Sequence, residues 1–174
     1  ITATAPAQEV VVVDLLDGDL DWNTFRFAEV AFGDKTAPTG DGKYQFYVRE
    51  TAKDYRPGVY KTWWVDITGE INPLSGRVQW TFRTLDPETG DLPEDALAGF
   101  LPPNDAAGRG EGHVVFSIRP RADRPAGTLL TNAATIVFDQ ETAIATNPVS
   151  NTIGAIAPPG YRLYLPLIMR AYGP

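Results

Sequence analysis

Polar and apolar residues alternate with a period of two along much of this chain, and that pattern decides its fold class. Residues 43–49, 77–83 and 113–119 each place three apolar side chains at every second position. Neighbouring side chains of an extended strand point to opposite faces, so each run suits a strand with one buried face. No segment shows apolar residues at helical spacing over eleven residues, although residues 93–100 could form one or two helical turns. The sequence therefore predicts an all-β chain.

Turn-forming residues divide the chain into many short extended segments. Five more segments have the composition of strands: residues 9–16, 24–32, 58–71, 129–139 and 161–169. The 16 glycines and 15 prolines supply turn residues between them. Residues 72–76, Asn-Pro-Leu-Ser-Gly between two aromatic runs, predict a hairpin. Together these observations predict an all-β sandwich of about eight or nine antiparallel strands.

One connection is too long to be an ordinary turn. Residues 86–112 show no strand pattern and carry seven of the chain's acidic residues. Loops beyond about 12–15 residues are uncommon in compact domains unless they are functional or disordered. This loop contains Leu97, Phe100 and Leu101, which are apolar anchors. We therefore expect an ordered acidic loop that packs over a sheet edge.

The charge of the chain is unevenly distributed. The formal net charge is −7, and residues 9–21 and 86–112 hold 12 of the 22 acidic residues but only one of the 15 basic residues. An acidic chain is a poor partner for the phosphates of a nucleic acid, so we expect no nucleic-acid binding. No stretch approaches the roughly 20 apolar residues of a membrane-spanning helix, so we expect no membrane span.

Carboxylates at alternate positions resemble the start of a calcium-binding loop. The segment from Asp17 to Asn23 has this pattern but lacks the glycine and the closing glutamate of an EF-hand. The long loop offers a second set of hard oxygen ligands. The candidate ligands for structural calcium are Asp17, Asp19, Asp21, Asp86, Asp91, Asp95, Asn104 and Asp105. The alternative is a solvated acidic surface whose Asp-Gly and Asp-Pro pairs form turns.

The sequence provides little of the chemistry that enzymes use. It contains no cysteine, three serines outside any Gly-x-Ser-x-Gly motif, and a single histidine, His113, which we expect to face solvent. No glycine-rich phosphate loop precedes a helix. A pair of glycosidase carboxylates needs no motif, but nothing in the sequence singles one out. We therefore predict that the chain is not an enzyme.

Adjacent tryptophans suggest an alternative role in binding. Trp63 and Trp64 lie in one predicted strand, so their rings face opposite sides of the sheet. With Tyr47, Tyr60 and Trp22, the outward ring would form an aromatic row that stacks on sugar rings. The competing interpretation is that both rings are covered, one by the core and one by a loop or a neighbouring subunit.

Several blocks of the sequence resemble an uncharacterised β-sandwich module, a domain of unknown function that recurs in large secreted and surface-anchored bacterial proteins. The blocks are residues 7–10, 14–17, 20–25, 80–93, 99–105, 108–112, 132–139 and 146–153. The resemblance implies an Ig-like, non-catalytic module at the cell surface or outside the cell. The Tyr-Leu-Pro-Leu sequence that follows the module resembles the C-termini of secreted proteins of certain thermophilic bacteria.

The chain divides into a module, a linker and a tail. Residues 1–153 form the predicted module, residues 154–160 a Pro-Pro-Gly linker, and residues 161–174 the tail. Alternate apolar residues give the tail one continuous face, made of Tyr161, Leu163, Leu165, Leu167 and Met169. An exposed strip of this kind would aggregate, so it must be covered.

Two coverings of the tail are open at this point. The tail forms the last strand of its own sandwich, or it is donated to a groove of the next subunit and builds a fibre or another homo-oligomer. Residues 1–5 are a second candidate for exchange. The prediction is an extracellular structural subunit or cell-surface module, and the alternative is a carbohydrate-binding module.

Overall fold

The computed structural model describes residues 4–40, 42–154, 163–164 and 167–170, the last two ranges by their backbone. These residues form thirteen strands and no helix. The strands are β1 (Glu9–Leu15), β2 (Leu20–Phe32), β3 (Lys35–Pro38), β4 (Gln45–Lys53), β5 (Thr62–Asn72), β6 (Arg77–Leu85), β7 (Glu111–Pro120), β8 (Leu129–Asn132), β9 (Ala134–Phe138), β10 (Ile144–Ala145), β11 (Val149–Thr152), β12 (Leu163–Tyr164) and β13 (Leu167–Arg170). None of the described residues belongs to a helix that could cross a membrane.

The strands form three antiparallel sheets. The largest has the order β10-β9-β1-β6-β5-β4, the second has the order β12-β7-β2-β3 with β13 also on β7, and β11 pairs with β8. The all-β sandwich predicted from the alternation is thus confirmed. The expected strand count was too low, because strands of two to five residues, such as β3 and β10, are too short for alternation to show. The helical turns suggested for residues 93–100 do not form.

The hairpin predicted for residues 72–76 joins β5 to β6. The two strands pair from Trp64 opposite Leu85 to Asn72 opposite Arg77. The amide of Gly76 donates to the carbonyl of Asn72 at 2.9 Å, and Gly76 has a φ of 69°. Glycine suits this position because a side chain disfavours the left-handed region. Turn chemistry read from the sequence therefore placed the hairpin correctly.

Four aromatic rings connect the two larger sheets. Trp80 of β6 lies 5.7 Å from Phe27 and 5.8 Å from Phe116, measured between ring centroids. Phe25 stacks on Phe116 at 5.1 Å and meets Phe27 edge-on at 4.8 Å. All four side chains are at most 3% exposed. Edge-to-face and offset contacts of this kind stabilise a core beyond the burial of their area.

Gly69 of β5 makes room for this cluster. It lies opposite Phe46 of β4 and Trp80 of β6. A Cβ atom at Gly69 would overlap the ring of Phe46 and lie 2.9 Å from a ring carbon of Phe27. Glycine in a strand commonly marks such a close approach. Gly69 therefore has no side chain at the point where the rings of Phe46 and Phe27 fill the interior.

The long acidic loop follows the end of β6 and leads into β7. Phe100 and Leu101 are fully buried, and Phe100 stacks on Phe82 at 5.8 Å and meets Phe32 edge-on at 5.2 Å. The amide of Ala7 donates to the carbonyl of Leu101 at 2.8 Å. Two of the three expected anchors are therefore confirmed. Leu97 is 51% exposed and does not anchor the loop.

Replacing Gly69 by alanine is expected to destabilise the protein by about 1–3 kcal/mol, because the added methyl group overpacks the space taken by Phe46 and Phe27. Urea unfolding measures the change. Gly18→Ala is the matched control, since nothing lies within 4 Å of a Cβ atom at Gly18. Equal effects of the two substitutions would contradict this account of the core.

Candidate functional site

The outer edge of β7 is the place where the tail meets the sandwich. On one side β7 pairs with β2, and on the other it pairs with β12 and β13. Leu163 is opposite Ile118, Tyr164 is opposite Ser117, and Leu167 is opposite Val114. The pairs of β12 and those of β13 share one register along β7. The described parts of the tail therefore follow β7 as segments of a single ladder.

The strand that receives the tail is also a central part of the core. Val114, Phe116 and Ile118 of β7 are at most 1% exposed. In an antiparallel pair, residues directly opposite each other lie on the same face. The register thus places Leu163 and Leu167 opposite core positions of β7. Of the five tail residues predicted for assembly, Tyr161 and Leu165 lie outside the described residues, and Leu163, Leu167 and Met169 are described by their backbone.

His113 lies on the opposite face of β7, as its place in the alternation predicted. Its Nε2 lies 2.9 Å from Oε1 of Glu29 on β2, and both side chains are more than a third exposed. The register places Ile168 of the tail opposite His113. The imidazole ring of His113 therefore lies on the solvent-facing side of β7.

The first set of predicted calcium ligands forms turns and short links. Oδ1 of Asp17 accepts from the amide of Asp19, and Oδ2 of Asp17 accepts from the amide of Thr131 on β8. Oδ1 of Asp19 lies 3.2 Å from Nε of Arg124. Oδ1 of Asp21 accepts from the amide of Asn23. Each of these carboxylates therefore has donors from the chain itself.

The second set is paired in the same way. The carboxylate of Asp86 lies 2.6 Å from Nζ of Lys61, and the carboxylate of Asp95 lies 2.5 Å from Nη1 of Arg56. The carboxylate of Asp105 lies 2.5 Å from Nη2 of Arg109. Asn104 donates to Glu111 at 3.1 Å and accepts from the amide of Gly110. Asp91 is exposed.

The eight candidate ligands are not brought into one site. Asp86, Asp91 and Asp95 line one cavity together with Arg56 and Lys61. Within the described part of the chain, however, no three His, Cys, Asp or Glu side chains are grouped closely enough to hold a metal ion. Structural calcium thus stays a prediction, whose direct test is the melting temperature in excess chelator.

Basic residues of the β4–β5 connection hold the acidic loop in place. Arg56 bridges Asp54 and Asp95, with oxygens 2.6 and 2.5 Å from its guanidinium nitrogens. Lys61 reaches Asp86, and its ammonium lies 4.5 Å from the ring centre of Trp63. Arg56 and Lys61 come from a segment that is distant from the loop in the sequence, so the loop's own residues do not reveal these pairs.

These pairs lower the pKa of the carboxyl groups involved. The side-chain hydrogen bond from Arg56 lowers the pKa of Asp54, and that from Lys61 lowers the pKa of Asp86. The pKa of Asp95 is lowered first by the backbone amide of Leu97 and then by Arg56. A depressed carboxyl pKa adds stability above the unfolded value and loses it on acidification. The ion pairs that hold the acidic loop therefore weaken at acidic pH, below about 4.

The two tryptophans differ in exposure. Trp63 is only 3% exposed, so its ring offers no surface to a sugar, and the predicted stacking role fails at this position. Trp64 is half-buried on the outer face, and the guanidinium of Arg49 lies 4.3 Å from its ring centre. Arg49 is held in turn by Asp66 through two hydrogen bonds. Of the pair, Trp64 is thus the ring near the surface.

Sequence analysis missed a buried polar pair, Asp14 and Asn132. Asp14 is fully buried and accepts a 2.7 Å hydrogen bond from Nδ2 of Asn132. The signal was present in the sequence: Val10, Val12 and Asp14 share one face of a strand, so a carboxylate occupies an inward position. Burial raises the pKa of Asp14 from 3.8 to about 6, against a smaller lowering by the Asn132 amide.

Comparison with known proteins finds a family model that matches about a third of the chain. A family model described as a domain of unknown function (DUF7619) matches residues 99–152, which is 54 of the 174 residues. No curated protein and no solved structure matches the chain. The matched segment runs from the buried middle of the acidic loop through β7 to β11. It contains the strand that receives the tail, three of the blocks on which the resemblance rested, and all but the last residue of a fourth.

Replacing Arg56 by methionine is expected to loosen the acidic loop, because Asp54 and Asp95 lose their shared cation. Amide hydrogen exchange at residues 94–98 should become severalfold faster while β5 and β6 stay protected. Arg121→Met removes a bridge to the exposed Asp123 and is the control. Unchanged exchange in the Arg56 variant would contradict this role.

Proposed function

We propose that this chain is an extracellular, Ig-like structural module whose copies assemble by donating the C-terminal strand to the outer edge of β7. The observation that carries the proposal is the single register that β12 and β13 share along β7. An extra strand on an exposed edge gains main-chain hydrogen bonds, while its alternate side chains give specificity. In the structure the described tail strands occupy this edge of their own chain, so donation exchanges that pairing for the same pairing with β7 of a neighbouring copy.

The connection to the tail is long enough for either geometry. Residues 153–162 separate the end of β11 from β12. A span of ten residues reaches at most about 33–36 Å when extended. Pro158 and Pro159 in this connection have no backbone N–H to donate to a β-ladder. The same sequence therefore permits the tail to fold back or to cross to a second copy.

Charge supports association between copies. The tail contains two arginines and no acidic residue between residues 161 and 170. The register sets Arg170 opposite Glu111, where the acidic loop joins β7. Opposite charges at this end favour antiparallel docking in the observed direction. A non-catalytic role also fits the pairing of three of the seven acidic residues of the loop with the chain's own bases.

Replacing Leu167 by aspartate is expected to abolish assembly, because the register places this residue opposite the buried Val114. Burying an unpaired carboxylate there would cost several kcal/mol. Light scattering and electron microscopy of the full chain at increasing concentration provide the measurement. Ile168→Asp is the matched control, since residue 168 is opposite His113 at the surface and should largely retain assembly.

The proposal depends on the oligomeric state of the unaltered protein in solution. A full chain that stays monomeric over the whole concentration range would overturn donation between copies. Deletion of residues 161–174 should leave β7 with an open edge, and a synthetic peptide of that sequence should bind this edge. A full chain that stays monomeric, together with a truncated chain that binds the peptide, would show that the tail only folds back.

The outer face of the largest sheet supports carbohydrate binding as a second candidate function. A shallow cavity of about 660 Å³ lies there, and its lining includes Gln45, Tyr47, Thr68, Glu70, Gln79 and Thr81. Tyr47 is 59% exposed. Amide and hydroxyl groups beside an exposed ring can bond and stack on a sugar.

Replacing Tyr47 by alanine is expected to weaken glycan binding about fivefold or more, because an aromatic contact contributes about 1 kcal/mol. Affinity electrophoresis in soluble polysaccharides measures the loss. Tyr60→Ala is the control, since Tyr60 is fully exposed outside this cavity. Absence of retardation of the unaltered protein by every polysaccharide would remove this candidate.

A further inference from the structure

A carboxyl and an amide side chain meet inside the sandwich with two of their oxygens left without donors. Asp14 near the end of β1 is fully buried, and Asn132 at the end of β8 is 6% exposed. Nδ2 of Asn132 donates to Oδ2 of Asp14 at 2.7 Å. In the part of the chain that the structure describes, Oδ1 of Asp14 and Oδ1 of Asn132 have no hydrogen-bond partner. The pair thus contains two buried acceptors that lack a donor.

The surrounding strands supply no charge to this pair. Asp14 is opposite Val78 of β6 and Ala134 of β9. The buried side chains of β2, β5, β6, β7 and β9 are apolar apart from Thr84 and Ser117, and none of them titrates. The acid bonded to β8 is Asp17, and its Oδ2 accepts from the amide of Thr131. The carboxyl of Asp14 therefore lies in apolar surroundings with one amide as its partner.

A proton completes the hydrogen bonding of the pair. A planar carboxylic acid and a planar amide can form a ring of two hydrogen bonds, in which each group donates once and accepts once. One of these bonds is present, from Nδ2 of Asn132 to Oδ2 of Asp14. A proton on Oδ1 of Asp14 makes that oxygen the donor that Oδ1 of Asn132 lacks. Leaving both oxygens unpaired in the interior would cost free energy.

We propose that Asp14 and Asn132 form a proton-dependent latch that holds β8 against β1. Uptake of a proton from solvent by Asp14 closes the second hydrogen bond of the ring. Release of the proton opens that bond and leaves a negative charge in the interior, which is unfavourable. The latch is closed in acid and weakened at neutral pH.

The latch connects two sheets that share no ladder. Among the described strands β8 pairs only with β11, whereas β1 is central in the six-stranded sheet. Thr131 of β8 also binds Asp17 at 2.9 Å, which ties the same strand to the β1–β2 turn. Opening the latch therefore loosens the attachment of the β8–β11 pair more than the main sandwich.

The direction of the effect on stability follows from linkage. A raised carboxyl pKa means that the folded state binds the proton more tightly than the unfolded state. The contribution of Asp14 to stability is full below its unfolded pKa and is lost as pH rises through its folded pKa. Acids whose pKa is lowered, such as Asp66, act in the opposite sense and only at lower pH.

Comparison of the full chain with Asp14→Asn tests the latch. The ratio of the unfolding constant of the unaltered protein to that of the variant should rise about tenfold between pH 5 and pH 8. Urea unfolding at several pH values gives both constants. Asp66→Asn is the control, and its ratio should stay constant over this range because Asp66 titrates below it.

Nuclear magnetic resonance of the unaltered protein keeps the test independent of the variant's folding. The carboxyl carbon of Asp14 and the side-chain amide of Asn132 should titrate with one shared midpoint near pH 6. Protection of β8 amides from hydrogen exchange should fall as pH rises through that midpoint, after correction for intrinsic exchange. A carboxyl midpoint below about 4.5, or an Asn132 amide that does not follow it, would overturn the proposal.

Discussion

Contact between the two larger sheets through Trp80 and the phenylalanines beside it is the interaction on which the rest of the structure depends. The rings come from β2, β6 and β7, so burying them fixes how these strands face one another. Gly69 belongs to the same arrangement, because its missing side chain leaves the space that Phe46 and Phe27 fill. Phe100 extends the aromatic core into the acidic loop and holds that loop across the end of the sandwich.

Polar interactions refine this packing at two places with different physical consequences. At the surface, Arg56 and Lys61 bind carboxylates of the acidic loop, where solvent screens each pair and the network matters more than any single bond. In the interior, Asp14 has only the amide of Asn132 as a partner, so the low dielectric makes its protonation state important. The first arrangement is strongest above the carboxyl pKa values, and the second is strongest below that of Asp14.

β7 belongs to the core and also supplies the backbone edge that the proposed assembly uses. Its inward residues pack against the aromatic cluster, and its outer backbone edge pairs with β12 and β13. A strand that is well ordered by its own core is a rigid template for an added strand, which reduces the entropy lost on pairing. Association through this edge would therefore use the best-ordered part of the second sheet.

The sequence by itself determined the all-β class, the β5–β6 hairpin and the burial of Phe100, because alternation and turn chemistry are local properties of the chain. Short strands such as β10 escaped prediction, since two residues carry no period. Only the tertiary structure decided that Arg56 reaches Asp95, that Trp63 is buried, and that Asp14 meets Asn132. Each of these features depends on which distant segments of the chain pack together, and the spacing of residues along the chain does not specify that packing.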